Sequence, residues 1–170
     1  FIAYFQSFTN TNASVNRLKE AYDRILPFRD IIGLSIGTRP DCIDTDKLEL
    51  ISSYSGRYEV WLEYGLQSAH DRTLKAIKRG HDFNDFLTGY RLTRRYPISV
   101  CVHVILGLPG ETREDMMATA RRLSELNVDG VKIHLLHILK GSGLEYSYKE
   151  GNVKVLSQEE YVSLTCDFLE

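Results

Sequence analysis

The chain has 170 residues, 43% of them apolar and 26% charged, with 21 basic and 23 acidic side chains. Those figures suit one globular domain over 1–170 with a real core, and they exclude a disordered or collagenous chain. The longest apolar run, Val100 to Leu108, is broken by His103 and Gly107 and falls well short of the roughly 20 residues a bilayer needs. No membrane span is expected, and no stretch reads as a signal or transit peptide. A net charge of −2 gives no global pull toward nucleic acid. The widely spaced Cys42, Cys101 and Cys166 argue against a disulfide framework and for a reducing compartment, the cytoplasm by default.

In chain order, strands are predicted at about 1–6, 31–37, 59–66, 98–106 and 130–138, each rich in β-branched or aromatic residues and bounded by turn residues. The first, Phe-Ile-Ala-Tyr-Phe, is an apolar run at the very start of the chain, and Glu170 falls inside a helical pattern. Natural termini are seldom placed in a core strand, so the expectation is a piece of a longer protein. Amphipathic stretches lie between the strands. Residues 14–26 carry Val15, Leu18, Tyr22, Ile25 and Leu26 at helical spacing, and 70–79 carries Leu74 and Ile77 with a stop at Gly80. Thr112 with Asp115, and Ser157 with Glu160, have capping-box spacing, which predicts helices starting near 113 and 158. Residues 140–156, with three glycines, read as a long connection. Alternating strands and helices of these lengths call for a parallel sheet with right-handed crossovers.

Period-two alternation separates a barrel from a doubly wound sheet, because the inner face of a barrel wall can be polar near its mouth. Leu62, Tyr64 and Leu66 oppose Glu63, Gly65 and Gln67; Val102, Val104 and Leu106 oppose Cys101, His103 and Ile105. Leu34 and Ile36 oppose Ser35 and Gly37, with Arg39 just beyond, and Ile133 and Leu135 oppose Lys132 and His134. Taken singly, an inward Ser or His is more often a satisfied core residue than a ligand contact. Four strands with the same layout predict helices outside and a lined cavity inside, open at the carboxyl ends.

Three motifs carry candidate chemistry. Gly107-Leu108-Pro109-Gly110-Glu111-Thr112 joins a strand to a helix, letting backbone approach a planar or anionic group; it lacks the Lys of a Walker A loop. Gln67, next to Gly65, can donate and accept, which suits a ribose or carboxylate, and Arg79 one helix later can clamp a carboxylate. A solvated helix terminus explains Arg79 equally well. The loop Tyr4 to Thr11 can present carbonyls and hydroxyls to an ammonium group, or Thr9 and Asn10 can simply make a local turn.

The series Phe-Gln-Ser-Phe-Thr-Asn-Thr, Ser-Ile-Gly-Thr-Arg-Pro-Asp, Glu-Tyr-Gly-Leu-Gln-Ser, Arg-Gly-His and Val-Ile-Leu-Gly-Leu-Pro-Gly-Glu-Thr resembles the radical S-adenosylmethionine (SAM) superfamily. The resemblance covers essentially the whole chain and lies near the elongator-type and oxygen-independent coproporphyrinogen oxidase branches. It implies a partial, open parallel β/α barrel with about five strands present, the first strand and the cluster loop being absent. It also implies an enzyme whose parent protein cleaves SAM reductively to a 5′-deoxyadenosyl radical, with a [4Fe–4S] cluster and an electron donor such as flavodoxin or ferredoxin. Carried onto this sequence, Gln6, Ser7, Thr9 and Asn10 stand at the methionine amino site and Gln67 and Arg79 at the ribose and carboxylate. Ser35 joins the cofactor-facing set, His103 falls where relatives often carry a ribose-contacting Asp, and Ile105 and Leu106 offer backbone to the adenine. Arg39, Glu63, Lys132 and His134 are the candidate substrate contacts, with tRNA one candidate substrate. No C-x-x-x-C-x-x-C loop occurs, so this stretch is expected to hold no metal and to be inactive alone.

Two other classes compete. A zinc hydrolase or deaminase barrel would use Cys101, His103, His134 and His137, but His134 and His137 lie three apart on a predicted strand and face opposite sides. A non-catalytic RNA-docking module would use Arg39, Lys132, Lys140 and Arg94-Arg95, which a solvated surface explains as well.

Overall fold

Alternation of side chains is what turns these apolar runs into sheet. A computed structural model describes residues 1–170. Its strands are β1 (Ile2–Phe5), β2 (Gly33–Thr38), β3 (Glu59–Gln67), β4 (Ser99–Leu106) and β5 (Gly130–Leu135), forming one open parallel sheet in the order β1-β2-β3-β4-β5. Sequential order with a helix in each connection is the β/α winding expected for parallel strands, which cannot be joined by a hairpin. The expected open β/α barrel is the fold found.

The helices are α1 (Val15–Tyr22), α2 (Thr45–Ser52), α3 (Asp71–Ala76), α4 (Phe83–Thr93), α5 (Arg113–Leu126), α6 (Gly143–Lys149) and α7 (Gln158–Leu169). Both expected capping boxes form: the Thr112 and Ser157 hydroxyls accept from the amides of Asp115 and Glu160, and the Asp115 and Glu160 carboxylates accept from the amides of Thr112 and Ser157. The helix expected over 14–26 ends at Tyr22 and tightens into a 3-10 turn over Asp23–Ile25. The one expected over 70–79 stops at Ala76, because Lys78 takes a left-handed φ of 53° and the Arg79 amide closes back on the Leu74 carbonyl. The connection 140–156 contains α6, capped by Ser142 on the Glu145 amide. β5 is three residues shorter than its predicted span, ending at Leu135 after which Leu136 turns its amide to the Leu106 carbonyl.

The face pattern holds on β3 and β4. Val60, Leu62, Tyr64 and Leu66, and Val100, Val102, Val104 and Leu106, are all buried, whereas Trp61, Glu63, Gln67, Cys101, His103 and Ile105 are half-buried. On β2 burial reaches both faces, with Ser35 only 5% exposed, and on β5 every residue is half-buried.

The chain divides into two compact units: Phe1–Leu66 with Phe83–Val102 and Val128–Val131, and Gln67–Asp82 with His103–Asn127 and Lys132–Glu170. In the first, α1 packs on α2, and α4 lies against the 3-10 turn Pro40–Cys42. Tyr22, Ile36, Leu48, Ile51, Leu62 and Phe86 form its buried core. In the second, α5 packs on α7, and Leu108, Leu136 and Val153 form a buried cluster with Ile77, Ile105, Ile138 and Leu144 against it.

Candidate active site

In the first unit the register sets the polar face. Tyr4 pairs with Ser35, Ser35 with Trp61, and Gly37 with Glu63, so these residues share one side of the sheet. The Glu63 carboxylate accepts from the Tyr4 hydroxyl at 2.7 Å and the Ser35 hydroxyl at 2.5 Å. Glu63 and Ser35 were candidates from the sequence; Tyr4 was not. Its signal was parity on β1, and parity identifies a partner only once the register is known.

The loop after β1 is tied down by its own polar groups. The Asn10 side-chain amide donates to the carbonyls of Phe5 and Gly37, both at 2.9 Å, and its backbone amide also meets Gly37. Buried Thr11 pairs with the Thr38 hydroxyl at 2.5 Å and donates to the Cys42 carbonyl. Thr9 accepts the Asn12 amide in a turn, Phe8 takes a φ of 63°, and Gln6 and Ser7 are exposed. Arg39 forks onto Asp41 at 2.9 and 2.6 Å, which holds the guanidinium pKa above its ordinary value.

In the second unit, Gln67 ends β3 with a φ of 77°, in the left-handed region a Gln rarely adopts. The next residue, Ser68, donates to Glu111 of the Gly107–Glu111 turn. Gly107, at φ 84°, and Gly110, at φ 77°, make that turn, and α5 starts from it. A β-carbon on Gly107 would also lie 3.0 Å from Leu156. Arg79 Nε donates to Nε2 of His81 at 3.1 Å; His81 is buried and was not among the sequence candidates. The Leu106 carbonyl already accepts the Leu136 amide.

His103 and His134 meet on neighbouring strands, His134 Nε2 lying 3.2 Å from His103 Nδ1 with ring centroids 5.1 Å apart. Lys132 precedes His134 on the same side of β5. At the carboxyl ends of β4 and β5 opens a cavity of about 670 Å3, lined mainly by apolar side chains including Ile77, Ile105, Leu108, Leu136 and Leu144, with Lys78 among them. That volume lies within the range of about 300–1,000 Å3 usual for small-molecule sites.

A model of the radical SAM superfamily matches residues 6–123, and one of the radical SAM C-terminal domain matches residues 128–170. The chain belongs to the radical SAM superfamily. The uncharacterized protein YtqA of Bacillus subtilis is 46% identical over 170 residues, covering 100% of this chain and 53% of that protein. A tRNA uridine(34) acetyltransferase of Dehalococcoides mccartyi is 31% identical over 123 residues, 71% of this chain and 26% of that protein. The archaeal Methanocaldococcus infernus Elp3 with an N-terminal deletion superposes with a TM-score of 0.84 at 20% identity, over 98% of this chain and 44% of that one. The chain thus spans about half the length of the curated relatives it matches most fully.

The family implies a [4Fe–4S] cluster and SAM, and the residues present fit them differently. Cys42, Cys101 and Cys166 sit on a 3-10 turn, β4 and α7, and no group of three or more His, Cys, Asp or Glu side chains is placed to hold a metal ion. These residues do not fit a cluster. His103 and His134 converge as the zinc alternative required, but no third ligand joins them. The apolar cavity beside a glycine turn does fit a flat aromatic base such as adenine. No helix is long and apolar enough to cross a membrane.

Proposed function

We propose that this chain is the SAM-cradling part of an enzyme that cleaves SAM reductively to a 5′-deoxyadenosyl radical, which then takes a hydrogen from a substrate. The observation that carries the reading is the apolar cavity at the ends of β4 and β5, beside the Gly107 turn. In it Ile77, Ile105 and Leu108 exclude water from the faces of an adenine. Gln67 and Arg79 take the ribose and carboxylate roles, and His103 joins at the ribose; Ile105 and Leu106 supply backbone. By the same motif order, Gln6, Ser7, Thr9 and Asn10 are assigned to the methionine amino group and Ser35 to the cofactor-facing set. The cluster chemistry is assigned to cysteines in the part of the longer protein that this chain does not span, with flavodoxin or ferredoxin as electron donor in the cytoplasm. By itself the chain would be inactive.

Calorimetric titration of the full-length protein with SAM tests the cradle. Binding in the wild type and at least a tenfold weaker Kd in Arg79→Ala are expected; an unchanged Kd removes Arg79 from the site.

Substrate contacts are assigned to Arg39, Glu63, Lys132 and His134, with tRNA as the substrate class. The similarity to a tRNA uridine(34) acetyltransferase supports that choice. Binding of tRNA by the full-length protein should weaken with added salt, as phosphate contacts require; no binding at low salt rejects it.

A further inference from the structure

We propose that residues 141–152, with α6 at their centre, form a lid that swings as one body to open and close the cavity at the ends of β4 and β5. That SAM is the ligand admitted rests on the function proposed above; the lid itself does not. Gly143, Leu144 and Ser147 of α6 line that cavity, so one short helix supplies part of its wall. Leu144 and Ser147, three residues apart, share a face of α6, while Tyr146 and Tyr148 are exposed to solvent. No residue of α6 is fully buried.

The segment closes on itself. At its amino end Ser142 accepts the Glu145 amide, and the Glu145 carboxylate accepts the Gly141 amide at 2.6 Å and pairs with Lys149 at 2.7 Å. At its carboxyl end the Gly151 amide donates to the Tyr148 carbonyl and the Asn152 amide to the Ser147 carbonyl, the two bonds of a Schellman turn with Gly151 at φ 77°. The Asn152 side-chain amide donates to Glu150, and the Ser142 amide and hydroxyl reach only to the Leu139 carbonyl. All these partners lie within 139–152, so opening breaks no hydrogen bond or ion pair to the rest of the protein. Beyond Asn152, no hydrogen bond ties the backbone of 153–156 to other residues, and buried Val153 anchors the pivot in the cluster of Leu108 and Leu136. Leu144, partly buried against the same cluster, holds the lid shut. Such an apolar contact can be released without stranding a polar group, and a ligand in the cavity gives Leu144 more surface to cover. An occupied cavity therefore favours the closed lid.

Amide hydrogen exchange of the full-length protein in sub-denaturing urea tests the lid. In the free protein the amides of 145–152 should exchange through one common opening, at least tenfold faster than those of α5 and α7 and with little dependence on urea. Leu144→Ala should speed all of them together by at least tenfold and leave α5 unchanged. Saturating SAM should slow them at least tenfold. Exchange graded from the helix ends, exchange only with α5 and α7, or indifference to Leu144→Ala overturns the proposal, as does SAM that binds by calorimetry without slowing 145–152. If SAM does not bind, the function proposed above fails, and the common opening in the free protein still decides the lid. Should Leu144→Ala not fold, the wild-type exchange alone decides it.

Discussion

The hydroxyl of Tyr4 donates to the carboxylate of Glu63 at 2.7 Å, so an edge strand fixes a charge two strands away. Ser35 gives that carboxylate its second donor, but the two donors stand differently toward water. Tyr4 is 37% exposed and Ser35 is 5% exposed. Tyr4→Phe should cost roughly 0.5 kcal/mol, since water replaces the lost bond, whereas Ser35→Ala should cost roughly 1–2 kcal/mol by leaving a half-buried charge short of a partner. Urea unfolding of the two variants checks the order; equal midpoints would contradict the assigned geometry.

Tyrosine burial makes a prediction at high pH. Burial pushes the phenols of Tyr22, Tyr54 and Tyr64 above their ordinary range, and for Tyr54 the bond to the Asp23 carboxylate adds to it. An acid whose pKa is raised on folding stays protonated in the native state after it ionises in the unfolded one. Its contribution is fully present below the unfolded value of about 10 and is lost as pH rises from there. Stability should therefore fall above about pH 10, and Tyr64→Phe should make that fall less steep. At neutral pH the same substitution should cost only about 1 kcal/mol, because the Thr93 hydroxyl keeps its bond to the Gly89 carbonyl.

Two glycines should respond unequally to alanine. A β-carbon on Gly89 of α4 would lie 2.6 Å from the Pro40 carbonyl oxygen, a backbone atom that cannot swing away, and Gly89→Ala should cost roughly 1–3 kcal/mol. At Gly56 the same atom meets nothing within 4 Å, and Gly56→Ala should stay within about 0.5 kcal/mol of the wild type. Thermal melts of both variants read this directly.

The α5 cap links stability to acid. The Thr112 backbone amide, bonded to the Asp115 carboxylate, is the main cause of that group's lowered pKa, and the Thr112 hydroxyl and Arg72 add to it. A carboxylate lowered on folding stabilises above its ordinary range and gives that up as pH falls through its native value. Thr112→Ala should cost about 1 kcal/mol near neutrality, and the difference from wild type should shrink in acid.

Strand parity and capping spacing were legible in the sequence because both are local. Val100 to Leu106 alternates over its whole length, and Thr112 and Ser157 name their own partners three residues on. What was not legible depended on register or on tertiary closure. Ser142 and Glu145 have the same cap spacing as Thr112 with Asp115, yet the three glycines in 140–156 mask that signal with the composition of a loop. Tyr4 could not be linked to Glu63 until β2 set the offset between β1 and β3. His103 and His134 were each visible, but their contact depends on β4 and β5 being neighbours, a property of the sheet. The left-handed Gln67 and Lys78 carry no residue signal, since glycine is the usual occupant of such positions.

The most direct measurement is product analysis on the full-length protein, purified without oxygen, its iron–sulfur cluster verified by electron paramagnetic resonance, and given SAM and a low-potential reductant. The account predicts that 5′-deoxyadenosine and methionine accumulate, and that Arg79→Ala with an intact cluster yields at least tenfold less. A wild-type protein that carries its cluster and binds SAM, yet forms no 5′-deoxyadenosine with or without added tRNA, would contradict it.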